Sequence, residues 1–139
     1  MRIELKRVDG DFHFEAKSET GNIAHMDGSE TIGGQNKGVR PMQMLIMGLG
    51  GCSAIDIALI LKKQKQQVDG FEISIDAERQ TGKEPALWES VVLHFKLKGN
   101  IDKDKAERAV ALSVEKYCSV ARTLELAGAK ITYKVSVTA

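Results

Sequence analysis

Two thiols, Cys52 and Cys118, are the side chains of this sequence best suited to covalent chemistry. A cysteine reacts as the thiolate, so its usefulness depends on what holds the sulfur ionised. Cys52 stands in the run Gly48-Leu49-Gly50-Gly51-Cys52-Ser53-Ala54, inside a helical pattern. Glycine costs about 1 kcal/mol per helical position relative to alanine, so adjacent Gly50 and Gly51 require a reason. Close approach of another backbone is one reason, and room for a substrate beside the thiol is another. A free cysteine can equally be a small buried hydrophobe, with the glycines serving helix packing. Cys118 lies in Glu115-Lys116-Tyr117-Cys118-Ser119-Val120-Ala121-Arg122. If a helix starts here, the thiolate faces its positive N-terminal end, with Lys116 and Arg122 close in sequence, and both effects lower a thiol pKa. A core cysteine between two helices is the competing reading. The thiols are 66 positions apart, and a catalytic disulfide needs a Cα separation that sequence does not supply.

Rival chemistries lack their signatures. Gly48-Leu49-Gly50-Gly51 has neither the spacing nor the preceding strand of a dinucleotide-binding turn, and no phosphate-loop lysine motif occurs. His13, His25 and His94 are far apart in sequence and no Cys-x-x-Cys is present, so no metal site is expected. His13 and His94 are expected at solvent or in gaps at strand edges. No nucleophile turn supports a Ser/His/Asp triad.

The elements that must position the thiols follow from alternation and punctuation. Residues 2–8 and 11–17 alternate around Asp9-Gly10, a hairpin signal, and 22–26 reads as a third strand. Residues 27–40 form a polar, glycine-containing loop that either covers a site or simply connects. Pro41 opens a long helix to about Lys65, with Lys62, Lys63 and Lys65 favouring its C-terminal dipole. Residues 71–80 and 88–98 alternate as strands joined by a hairpin loop, 81–87. Asp102 or Asp104 caps a following helix, a second short helix follows Tyr117-Cys118-Ser119, and 129–138 closes the chain as a strand. The order makes an α+β domain.

The 139 residues fit one domain, 1–139. Lys plus Arg number 20 against 19 Asp plus Glu, a formal charge of +1 that gives no bulk field for nucleic acid or anionic membrane. The N-terminus alternates charged and apolar residues without a signal-peptide core, so a cytoplasmic location with reduced thiols is expected. Residues 44–61 are long and apolar enough to resemble a membrane span, but Asp56 lies inside them, so a buried central helix of a soluble protein is the expectation. A helix apolar nearly all round needs more cover than one small sheet supplies, which predicts a homodimer.

Pro41-Met42-Gln43-Met44-Leu45-Ile46-Met47-Gly48-Leu49-Gly50-Gly51-Cys52, with Tyr117-Cys118-Ser119 downstream, resembles the OsmC/Ohr family of osmotically inducible and organic hydroperoxide resistance proteins. The resemblance covers nearly the whole chain. It implies antiparallel sheets packed on a long central helix in an intertwined homodimer. It also implies stress-related, antioxidant reduction of organic hydroperoxides without a bound cofactor. The cysteine matching Cys52 attacks the peroxide and becomes a sulfenic acid; the one matching Cys118 resolves it to a disulfide, which an external dithiol reduces. Family members hold the first thiolate with an arginine that a glutamate fixes. Here Met42 occupies the glutamate position, and the candidate cations are Arg40 and Arg7. Asp56, one helical turn after Cys52, would raise that thiol's pKa unless a cation pairs with it, or would anchor the arginine in the glutamate's place. The alternative is a non-catalytic module of the same fold that binds a hydrophobic small molecule at the dimer interface, lined by Met42, Met47, Leu49 and Tyr117.

Overall fold

Gly10 turns the first hairpin at φ +55°, a conformation glycine adopts without a Cβ penalty, and so joins β1 (Ile3–Asp9) to β2 (His13–Ser18). A computed structural model describes residues 1–139. The chain forms two compact units, 1–45 and 46–139. In the first unit β1, β2 and β3 (Ile23–Met26) make an antiparallel sheet in that order. Its register puts Leu5, Ala16 and Ala24 on one face with Arg7, Phe14 and Met26, while Glu15 and His25 pair on the other.

Residues 27–40 are organised around one carboxylate. Asp27 is almost fully buried and accepts backbone N–H groups from Gly28, Gln35 and Lys37 at 2.7, 3.0 and 3.1 Å. Those bonds hold its carboxyl below the usual carboxylate range, the Lys37 N–H contributing most. Gly38 lies so close to the His25 backbone that any side chain would collide with it.

Of the two places expected for His13, solvent or a gap at a strand edge, solvent is excluded: the residue opens β2 and is 8% exposed. Its Nδ1 lies 2.9 Å from Asp9 Oδ1, its Nε2 lies 2.9 Å from His25 Nδ1, and Lys37 Nζ donates to the far oxygen of Asp9. The antiparallel β2–β3 register brings together histidines that are twelve residues apart, and strand alternation alone does not reveal that neighbour.

α1 (Pro41–Lys63) starts with proline at its first position and ends with Lys62 and Lys63 in its last turn. It stops two residues early because Lys65 takes φ +55°; N–H of Gln66 then bonds Leu61 O and N–H of Lys65 bonds Lys62 O, a Schellman closure without glycine. In the second unit β4 (Gly70–Arg79), β5 (Trp88–Lys98) and β6 (Lys130–Thr138) form a sheet in that order. The expected all-antiparallel arrangement is corrected: β5 and β6 run parallel. A parallel pair needs a long crossover, and the helices α2 (Lys103–Leu112) and α3 (Ser119–Leu126) supply it. Asp102 caps α2 by accepting the Lys105 N–H at 2.9 Å.

Leu49, Ile57 and Leu61 of α1 join Val91, Leu93, Phe95 and Leu97 of β5, with residues of α2 and α3, in the core of this unit. Gly50 faces Ile75, whose Cδ1 would stand 3.0 Å from an added Cβ, so close packing accounts for this glycine. Nothing comes within 4 Å of a Cβ built at Gly48 or Gly51. The expected all-round burial is therefore not met within one chain: only 22% of the apolar window of α1 is buried, and Leu45, Met47, Ile55 and Leu59 are exposed. By length and composition α1 could cross a membrane. A single stripe, with Leu49, Ile57 and Leu61, rests on the core.

Candidate functional site

The buried stripe of α1 runs Leu49, Ser53, Ile57, Leu61 at four-residue spacing, and one of the four is polar. Ser53 is fully buried, and its Oγ donates to Sγ of Cys118 at 3.5 Å. Cys118 is 2% exposed and is the N-cap of α3, its sulfur accepting the Ala121 N–H at 3.4 Å. That acceptor position normally holds a serine, threonine or carboxylate oxygen. A five-residue π turn, Ser113–Tyr117, precedes it and closes with a 2.7 Å bond from Cys118 N to Ser113 O. The wider turn leaves Ser113 fully buried with its Oγ 3.2 Å from Ser53 O and 3.4 Å from Asp56 Oδ2.

Cys52, half-buried, packs against the same core, and both cysteines are free thiols. Burial pushes the Cys118 thiol up; the Ser53 hydroxyl and Ala121 N–H offset this in part. Cys52 pushes it further the same way, since a charge on one sulfur disfavours a second nearby. The two thiols therefore belong to one core and bear on each other's ionisation. The sequence expectation that Lys116 and Arg122 would lower Cys118 is not realised, since neither is among the main influences on it. Lys116 Nζ instead lies over the Tyr117 ring at 5.4 Å, and Arg122 pairs with Glu125 at 3.8 Å. Burial outweighs the helix N-terminus.

The other expected site residues are placed as follows. Asp56 has a serine neighbour, Ser113, and lines a cleft of about 660 Å³ with Leu59, Ile60, Lys63, Leu112 and Tyr117. Gln64 also lines it, and its Oε1 is buried without a hydrogen-bond partner. Leu49 is fully buried in the core, Met47 is half exposed and Met42 half-buried on α1. Of the four residues expected to line a pocket, Tyr117 is the one that borders this cleft. Arg40 in the first unit spends its guanidinium on carbonyls of Asp27 and Gly38, at 3.3 and 3.0 Å, with Asn36 Oδ1 at 3.5 Å. Arg7 lies on β1, on the sheet face shared with Leu5 and Phe14.

The sequence reading missed Ser53, Ser113 and the π turn. A serine interrupting an apolar i, i+4 stripe was the available signal for Ser53; nothing local marks a π turn.

Known proteins share this arrangement of chain. The chain is 41% identical to Protein YhfA of Escherichia coli K12 over 140 residues, covering 100% of this chain and 99% of the relative. The crystal structure of an OsmC-like protein from Mycoplasma pneumoniae matches with a TM-score of 0.81 at 17% identity, over 99% of this chain and 96% of that one. That of an organic hydroperoxide resistance protein from Legionella pneumophila matches with a TM-score of 0.66 at 18% identity, over 99% and 96%. Residues 34–134, which include both thiols and the helices that carry them, match the model of the family described as OsmC-like protein, and the chain belongs to that family.

Proposed function

We propose that the protein is a cytoplasmic, homodimeric thiol peroxidase that detoxifies organic hydroperoxides. The observation that carries this reading is that Cys52 and Cys118 share one core in the second unit, the first half-buried, the second buried with its thiol pKa pushed up. Family membership and the likeness to organic hydroperoxide resistance proteins support the substrate class. The Cys52 thiolate attacks the distal oxygen of the hydroperoxide; the O–O bond breaks, the alkoxide takes a proton to leave as alcohol, and Cys52 becomes a sulfenic acid. Cys118 then attacks the Cys52 sulfur, a disulfide forms, and the expelled hydroxide leaves as water with the Cys118 proton. An external dithiol restores both thiols; no bound cofactor takes part.

Of the expected cations, Arg40 is bonded to carbonyls within the first unit, and Met42 stands in place of the family glutamate. A second copy supplies the missing cover. Its support is two uncovered apolar faces, Ile3, Leu5 and Phe14 on the first sheet and Met47, Ile55 and Leu59 on α1.

Mixing reduced protein with cumene hydroperoxide tests the reading. Two thiols and two mass units should be lost per chain, and Cys52→Ser should lose no thiol rapidly. No thiol loss in the wild type, or equal loss in Cys52→Ser, would end it. The cleft beside Tyr117 favours one second reading, a module that holds a hydrophobic small molecule between Leu59, Ile60 and Leu112. Native mass spectrometry of freshly purified protein separates the two: a co-purified ligand on peroxide-inert protein supports binding.

A further inference from the structure

We propose that Ser53 stabilises the Cys118 thiolate, its hydroxyl and the Ala121 N–H together holding the charge that develops on that sulfur whenever the disulfide closes or reopens. The inference rests on the redox reading above and adds a residue to it. A hydroxyl fully buried among Leu49, Ile57 and Leu61 is costly unless it is bonded, and the partner of Ser53 Oγ is Sγ of Cys118 at 3.5 Å. Ala121 N–H reaches the same sulfur at 3.4 Å. Ser113 Oγ, donating to Ser53 O at 3.2 Å, ties the backbone of Ser53 to the segment that leads into Cys118. Two donors converge on one sulfur in a buried site, and such donors gain most when their acceptor becomes an anion.

The charge arises twice. On closure, Cys118 gives up its proton as its sulfur attacks Cys52; the S–S bond forms, the S–O bond breaks, and hydroxide plus that proton leave as water. On reopening, a thiolate of the external dithiol attacks Cys52, the S–S bond breaks, and Cys118 departs as thiolate before taking a proton. The second thiol of the reductant then displaces Cys52 and leaves the reductant oxidised. Since a better-stabilised sulfur leaves faster, the donors at Cys118 direct the reductant onto Cys52.

The test follows single turnovers of wild type, Ser53→Ala and Ser53→Thr with cumene hydroperoxide, trapping the sulfenic acid with dimedone. In Ser53→Ala, sulfenic acid should form at the wild-type rate while closure slows about tenfold, with the pH midpoint of closure moved upward. Ser53→Thr should recover most of the rate. If closure in Ser53→Ala keeps the wild-type rate and pH profile, the inference fails and the peroxidase reading stands. If the wild type forms no sulfenic acid, both fall. A measurement without variants guards against misfolding: oxidised wild type treated with glutathione and peptide-mapped should carry the mixed disulfide on Cys52. Glutathione found mainly on Cys118 would overturn the inference.

Discussion

Tyr133 on β6 donates its hydroxyl to Glu115 Oε1 at 2.6 Å, tying the strand to the π turn that leads into Cys118. That carboxylate, aided by partial burial, pushes the phenol up to about 12. A raised acid contributes stability that is fully present below its unfolded value of about 10 and is lost as pH rises through about 12. In a Tyr117→Phe background, ultraviolet titration should therefore show the Tyr133 transition near 12, and Glu115→Gln should lower it. A transition near the ordinary tyrosine value with Glu115 intact would contradict the bond. At this scale the sequence was informative where chemistry is rare: two cysteines in glycine-rich and helix-start contexts were picked out. It was silent where a residue's role comes from its neighbours, as with Ser53, whose type is common, and with His13 and His25, whose contact depends on strand register.

Among the elements, the strands were most legible, because alternation with period two is a direct readout of a half-buried surface. β5 runs Trp88–Lys98 as its pattern predicts, and the helix starts at Pro41 and Asp102 follow from fixed φ and side-chain capping. The parallel pairing of β5 with β6 was not legible, since alternation says nothing of direction, and the π turn has no sequence mark. The cap offers a measurable check. Asp102→Ala removes the acceptor of the Lys105 N–H and should destabilise the second unit by ~1 kcal/mol in urea unfolding. No change in the midpoint would mean that α2 is held by packing alone.

For the whole molecule the decisive feature is the uncovered side of α1, where Ile55 is 71% exposed beside Leu59 and Met47. Exposed apolar surface on a long helix is what the proposed dimer would cover. Ile55→Asp should convert a dimer to monomer in sedimentation velocity at micromolar concentration, while leaving the core stripe untouched. A wild-type protein that already sediments as a monomer would refute the dimer, and one that partitions into detergent or vesicles would assign the helix to lipid.

Because the cap of α3 is a sulfur rather than an oxygen, the proposed disulfide would act directly on the helix start. Bonding that sulfur to Cys52 would draw off electron density the Ala121 amide now uses, so the first turn should fray in oxidised protein. Deuterium uptake at Ala121 would then rise on peroxide treatment and fall again on reduction, making one backbone proton a gauge of turnover.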